Sequence, residues 1–288
     1  YTGLVGRNAV VEISNTLDSK VRVPVSQAGG VWYVNGDDLY GLSDEESTIT
    51  IPVKSDYDYT VDMPAWITGE KVKEGYNFTL TENTTGNARK GTVIFKSQKG
   101  TKEITFVQFG VNDIAGTYEA TYSTFGEGDD WVSETVKIEL LQDEENEAVF
   151  YADGLSSIRG VVLPLKFDGE TYQLSALNGQ YLGFIESQKW YLYTIVRSEA
   201  GYVHADTSLS YPAIAELDVD DEELMPFFPF KDKKGFSFTG ETGTIKSFID
   251  AIGVYVFASK SPTFGNNNNL GYYDIFKDLS IKKIKADH

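Results

Sequence analysis

At 288 residues and 41% hydrophobic content, the chain is long enough for two domains with real cores. It contains no Cys, which excludes disulfides, zinc–thiolate sites and cysteine nucleophiles. A net charge of −18 excludes the basic footprint that nucleic-acid binding requires and disfavours anionic lipid surfaces.

The charge is uneven. Residues 1–111 carry 11 Lys and Arg against 14 Asp and Glu, a balance of −3, while residues 112–288 carry 14 against 29, a balance of −15. Acidity of this kind is a solubility feature first and an attractant for cations or basic partners second. No apolar run is long enough to cross a bilayer as a helix.

In chain order, Arg7 to Ile13 and Val21 to Gln27 form two alternating runs around an Asp18-Ser19 turn, which predicts a β-hairpin. The same pattern returns at 89–110. Arg7 aligns with Arg89, Val11 with Val93, Ile13 with Phe95, Val23 with Ile104 and Val25 with Phe106. Gln27 and Gln108 coincide once a single turn residue is removed. Residues 1–30 therefore read as a partial copy, the C-terminal hairpin of a module repeated whole at 31–111. The sequence leaves open whether this hairpin completes another module or adds strands to the one at 31–111.

Between the copies, Ile49, Ile51 and Val53 alternate, followed by Tyr57, Tyr59 and Val61, then Pro64-Ala65-Trp66-Ile67. Arg89, Gly91-Thr92-Val93 and the closing Val107-Gln108-Phe109-Gly110 complete the set. Together these resemble the BACON (Bacteroidetes-associated carbohydrate-binding often N-terminal) module. The resemblance implies an immunoglobulin-like β-sandwich in which Trp66 packs inside. It also implies a secreted, periplasmic or outer-membrane-surface protein, with any leader and lipid-anchoring cysteine lying upstream.

Gly110 to Asp113 reads as a short linker to a second β-rich domain at 112–288. Strands are expected at 136–141, 148–151, 161–167, 172–174, 181–185, 190–196, 202–204, 236–238, 254–258 and 279–284. Their spacing suits an antiparallel barrel or sandwich. The opening Gly116-Thr117-Tyr118 is similar to the start of lipocalin-like barrels. Only Ile245, Phe248, Ile249 and Ile252 show a helical period.

No catalytic site is expected. The two histidines are His204, in a strand-like run, and the terminal His288, and there is no Gly-x-Ser-x-Gly elbow. The run Glu216 to Glu223 reads as a solvated acidic loop. Glu127 to Asp130 is the other weak calcium candidate, and Asn266 to Asn269 reads as a loop. No metal and no cofactor is implied.

Aromatic side chains are the one candidate site, because sugar C–H faces stack on Trp and Tyr rings. Trp131, Trp190, Tyr191, Tyr272 and Tyr273 are the nominated ligand-binding residues. Trp32, Tyr33 and Phe227 to Phe230 are weaker candidates. The expectation is an all-β, non-catalytic envelope protein that binds a polysaccharide or mucin glycan, its first module a spacer. A structural or protein-interaction subunit of a surface complex is the alternative, with a glycoside hydrolase less favoured.

Overall fold

The computed structural model describes residues 5–14, 20–126, 130–220, 223–241, 243–265 and 267–285. The fold is nearly all β, built as a sandwich and a separate curled sheet. It divides into two compact units: residues 1–84 with 89–108, and residues 85–88 with 109–288.

In the first unit, β1 (Arg7–Ser14) and β2 (Lys20–Gln27) pair in register from Arg7 with Gln27 to Ser14 with Lys20. They form a two-stranded sheet of their own, and every residue of both strands is exposed. The hairpin therefore adds no strand to either sheet of the following module.

That module comprises β3 (Trp32–Val34), β4 (Leu39–Leu42), β5 (Ser47–Ser55), β6 (Tyr59–Asp62), β7 (Ile67–Val72), β8 (Gly75–Leu80), β9 (Arg89–Ser97) and β10 (Gly100–Gln108). One sheet runs β3-β5-β8-β7 and the other β4-β10-β9-β6, with β4 parallel to β10. Period-two alternation aims Ile51, Ile67, Phe78 and Leu80 from the first sheet at Val93, Phe95, Ile104 and Phe106 from the second. The Phe78 ring meets Phe95 edge-on at 5.8 Å and Phe106 at 5.5 Å. Each fully buried side chain of this size contributes about 1.5–3 kcal/mol. Trp66 is half-buried against this core, with the Arg89 guanidinium 4.4 Å from its ring centre.

Gln108 fastens the open end of the sandwich. It is fully buried and accepts from Arg89 Nε at 2.9 Å. Its Nε2 donates toward Ser43 O, Glu45 O and Thr81 O at 3.2–3.3 Å. One side-chain amide thus ties β9 and β10 to the loops after β4 and β8.

The second unit opens with a single 3₁₀ turn, Val111–Asp113, where Gly110 N–H donates to Asp113 Oδ2 at 2.9 Å. Its strands are β11 (Gly116–Phe125), β12 (Trp131–Gln142), β13 (Val149–Asp153), β14 (Leu163–Asp168), β15 (Gln173–Leu177), β16 (Tyr181–Ile185), β17 (Trp190–Ser198), β18 (Val203–His204), β19 (Ser210–Ile214), β20 (Glu216–Asp220), β21 (Glu223–Pro229), β22 (Phe236–Gly240), β23 (Gly243–Ser247), β24 (Ile249–Phe257) and β25 (Asn269–Lys283). Ten of them run β16-β17-β24-β25-β11-β12-β13-β14-β15-β19 in one curled sheet. β18 joins β17, β21 joins β25 and β20 joins β21, while β22 and β23 pair apart.

β24 is the spine. All nine of its residues are buried, and it pairs with β17 on one side and β25 on the other. This overturns the helical period read at Ile245–Ile252. Ile245 lies in β23, and the run that follows, apolar apart from Asp250, is a strand covered on both faces. Such a run has no alternation to separate it from a short buried helix. The acidic run at 216–223 also differs from the expected loop where it is described, because β20 and β21 pair antiparallel from Glu216 with Phe227 to Asp220 with Glu223, while residues 221–222 lie outside the described residues.

Gln108→Leu removes the amide that serves three carbonyls and the Arg89 Nε. It should destabilise the first unit by about 2–4 kcal/mol, read by denaturant unfolding. Gln27→Leu, at the matching position of the exposed hairpin, should change stability by less than about 0.5 kcal/mol.

Candidate functional site

Three of the five nominated side chains come together. Trp190 begins β17, while Tyr272 and Tyr273 lie near the start of β25, which pairs with β24 between them. With Val256 and Leu270 they line a cleft of about 300 Å³ that, among the described residues, no charged side chain lines. Successive residues of a strand ordinarily point to opposite faces. Here the β24–β25 register shifts between Val254 and Tyr255 and again between Val256 and Phe257. Such irregularities re-aim side chains, which lets the adjacent tyrosines border one opening. Tyr272 and Tyr273 are each 44% exposed, and the Trp190 ring lies 6.2 Å from Tyr273 at 69°.

Trp131 sits elsewhere. Its ring stacks on Phe125 at 4.0 Å, and Phe125 touches Tyr272 at 5.6 Å. The Arg197 guanidinium and the Lys277 ammonium lie 5.4 and 5.6 Å from the Trp131 ring centre. Arg197 also donates twice to Asp250, at 3.0 and 2.8 Å. Burial raises the Asp250 carboxyl above its ordinary range, and the guanidinium opposes that shift. Trp131 is thus already engaged by a ring and two cations. Tyr191 is a packing residue, held against Phe184 at 4.5 Å and against the cluster of Tyr193, Ile195, Tyr255 and Phe257.

The structure adds aromatic neighbours that the sequence reading passed over. Tyr181, Tyr193, Tyr255 and Tyr272 are successive cross-strand partners on β16, β17, β24 and β25. Their rings approach at 5.4 Å for Tyr181 with Tyr193 and 6.0 Å for Tyr255 with Tyr272. Burial pushes the Tyr255 phenol up to about 12, so it remains protonated at neutral pH. The row becomes visible only once strand order and register are known.

Of the weaker candidates, Trp32 and Phe228 pack into cores, and Tyr33 is 57% exposed. A second cleft of about 410 Å³ is lined by Lys231, Lys233 and Lys234 with Gln173, Ser208 and Phe236 among others. Phe236 is its one aromatic, and that ring is already occupied by the His204 edge at 4.8 Å. Residues 127–129, Asn266 and His288 lie outside the described residues, so the calcium candidate and the terminal histidine are left there.

His204 packs against the stacked pair Phe236 and Phe238, with Nε2 3.3 Å from Ser198 Oγ. A serine beside a histidine suggests a nucleophile. Ser198 is fully buried, however, and its hydroxyl donates to Tyr202 O at 3.2 Å, so no substrate carbonyl can reach it. Burial lowers the His204 pKa, with the nearby Asp206 carboxylate opposing.

No known family profile matches the chain, and no curated protein does. Among solved structures, a protein of unknown function from Bacteroides ovatus is similar over 86% of this chain and 88% of its own. The identity is 10% and the TM-score 0.25. A likeness this distant carries neither the fold nor a function.

The lowered His204 pKa has a sign. The unfolded chain takes up this proton first, so the associated stability is intact above about pH 6.5 and is lost as pH falls through the folded value. The thermal midpoint should therefore fall between about pH 7 and pH 5.5, and His204→Leu should flatten that slope. Equal slopes in both proteins would remove His204 as the cause.

Proposed function

We propose that the chain is a non-catalytic carbohydrate-binding protein of the bacterial envelope. Its first module acts as a BACON-like spacer, and its glycan site is the cleft of Trp190, Tyr272 and Tyr273. The supporting observation is the convergence of these three rings, each named for its chemistry, around one uncharged opening. Sugar rings offer apolar C–H faces for such surfaces, and the tyrosine hydroxyls supply polar partners for their hydroxyl groups. Without a charged lining, the cleft suits a neutral glycan rather than a uronate or a sulfated chain.

A protein-interaction role is the second reading. Val10, Val11, Ile13, Val21, Val23 and Val25 of the β1–β2 hairpin are all large apolar residues left exposed, which favours a partner.

Intrinsic Trp fluorescence of the whole chain, titrated with neutral plant and mucin-type polysaccharides, tests the glycan reading. A saturable change should appear, and Trp190→Ala or Tyr273→Ala should weaken binding about tenfold, the loss expected of one aromatic contact. Trp131→Ala should leave affinity within about threefold. A flat response across the panel, or binding indifferent to Trp190→Ala, would sink the proposal.

A further inference from the structure

The β1–β2 hairpin is a duplicate of β9–β10 that lacks its cover. In β9–β10 the terminal pair is Arg89 with Gln108, and in β1–β2 it is Arg7 with Gln27. In both, the arginine Nε donates to the glutamine Oε1 at 2.9 Å. Counting inward from that bond, Ala9 and Val25 stand where Gly91 and Phe106 stand. Val11 and Val23 match Val93 and Ile104, and Ile13 matches Phe95.

The surroundings differ completely. Val93, Phe95, Ile104 and Phe106 are fully buried, whereas Val11, Ile13, Val23 and Val25 are 47%, 58%, 40% and 48% exposed. In the covered copy, the facing sheet supplies Ile51, Phe78 and Leu80. The loop after β8 supplies the Thr81 carbonyl to Arg89, and Trp66 supplies a ring. An isolated two-stranded hairpin is marginal in water, so a face built for this packing requires a cover.

We infer that β1–β2 is the closing hairpin of a further immunoglobulin-like module. Its apolar face takes strands equivalent to β3–β8, carried on the same polypeptide ahead of the hairpin. Element order assigns that source. In the complete module the cover comes first, the hairpin closes it, and the next unit follows at once. The β1–β2 hairpin likewise ends at Gln27, directly before the module that starts at Trp32. A second copy of this chain fits less well. Two eight-residue hairpins stacked face to face cover a patch of about 27 by 10 Å. That footprint is small beside the interfaces of stable dimers, which bury roughly 800 Å² of accessible surface per partner.

Hydrogen exchange on two forms tests this: residues 1–288 alone, and the protein carrying its own upstream sequence. Alone, the chain should be monomeric, with hairpin amides exchanging near unfolded rates while β9–β10 amides are protected. With the upstream sequence, the hairpin amides should slow by about a thousandfold or more. Gln27→Leu, neutral in residues 1–288, should then lower the unfolding midpoint of the added module, and Val11→Asp should strip protection from 7–27 while sparing β9–β10. Unprotected hairpin amides in the longer protein would overturn the inference. So would protection that appears in residues 1–288 together with concentration-dependent dimerisation, or protection indifferent to both substitutions.

Discussion

The second unit depends on one constraint: β24 must be covered on both faces along its whole length. Nine consecutive buried residues, Ile249–Phe257, whose one charge, Asp250, is paired with Arg197, leave no polar face to turn to water. The sheet must therefore extend past it through β17 and β25 and curl to bury the rest. A Cβ at Gly253 would come within 2.9 Å of the Tyr255 ring and 2.5 Å of Asp274 O, so the strand is fitted tightly where β25 passes. The register shifts in that pairing accommodate the fit. They also bring Tyr272 and Tyr273 to the rim beside Trp190. The candidate cleft is thus a by-product of how the spine is paired, and rigid strands rather than loops hold its rings, which favours preorganised binding.

In the first unit the corresponding constraint is polar. Every apolar side chain between the two sheets could be exchanged for another of similar volume at modest cost. The Gln108 amide has no such substitute, because it meets Arg89 and three backbone carbonyls in a buried place. Repetition of the Arg–Gln bond in β1–β2, at the same length and the same end of the hairpin, marks it as part of the module's design. In the exposed copy water competes for every donor, and the bond has little to stabilise.

Much of this was legible in the sequence. Alternation at Ile49, Ile51 and Val53 and at Val21, Val23 and Val25 specified strands, and the Arg7–Arg89 alignment anticipated the matching hairpin registers. Trp190, Tyr272 and Tyr273 were recognisable as candidates because sugar faces stack on Trp and Tyr rings, because Trp190 lies in an alternating strand and because Tyr272 and Tyr273 lie near loop sequence. Other features were hidden for physical reasons. The run at 249–257 has no period, since both of its faces are buried. The separation of Trp131 from Trp190, and the tyrosine row through Tyr181 and Tyr255, depend on strand order and on bulges, which composition does not encode. The acidic hairpin at 216–229 was masked by charge, which argues for solvent exposure and says nothing about backbone pairing.

The proposed site requires a neutral sugar ring to stack at Trp190. The chain has four tryptophans, so its four indole N–H resonances can be followed individually while a neutral oligosaccharide is added to the whole protein. The Trp190 resonance should shift saturably while those of Trp32 and Trp66 stay in place. No shift at any indole, or shifts confined to Trp131, Trp32 or Trp66, would contradict the assignment of the site.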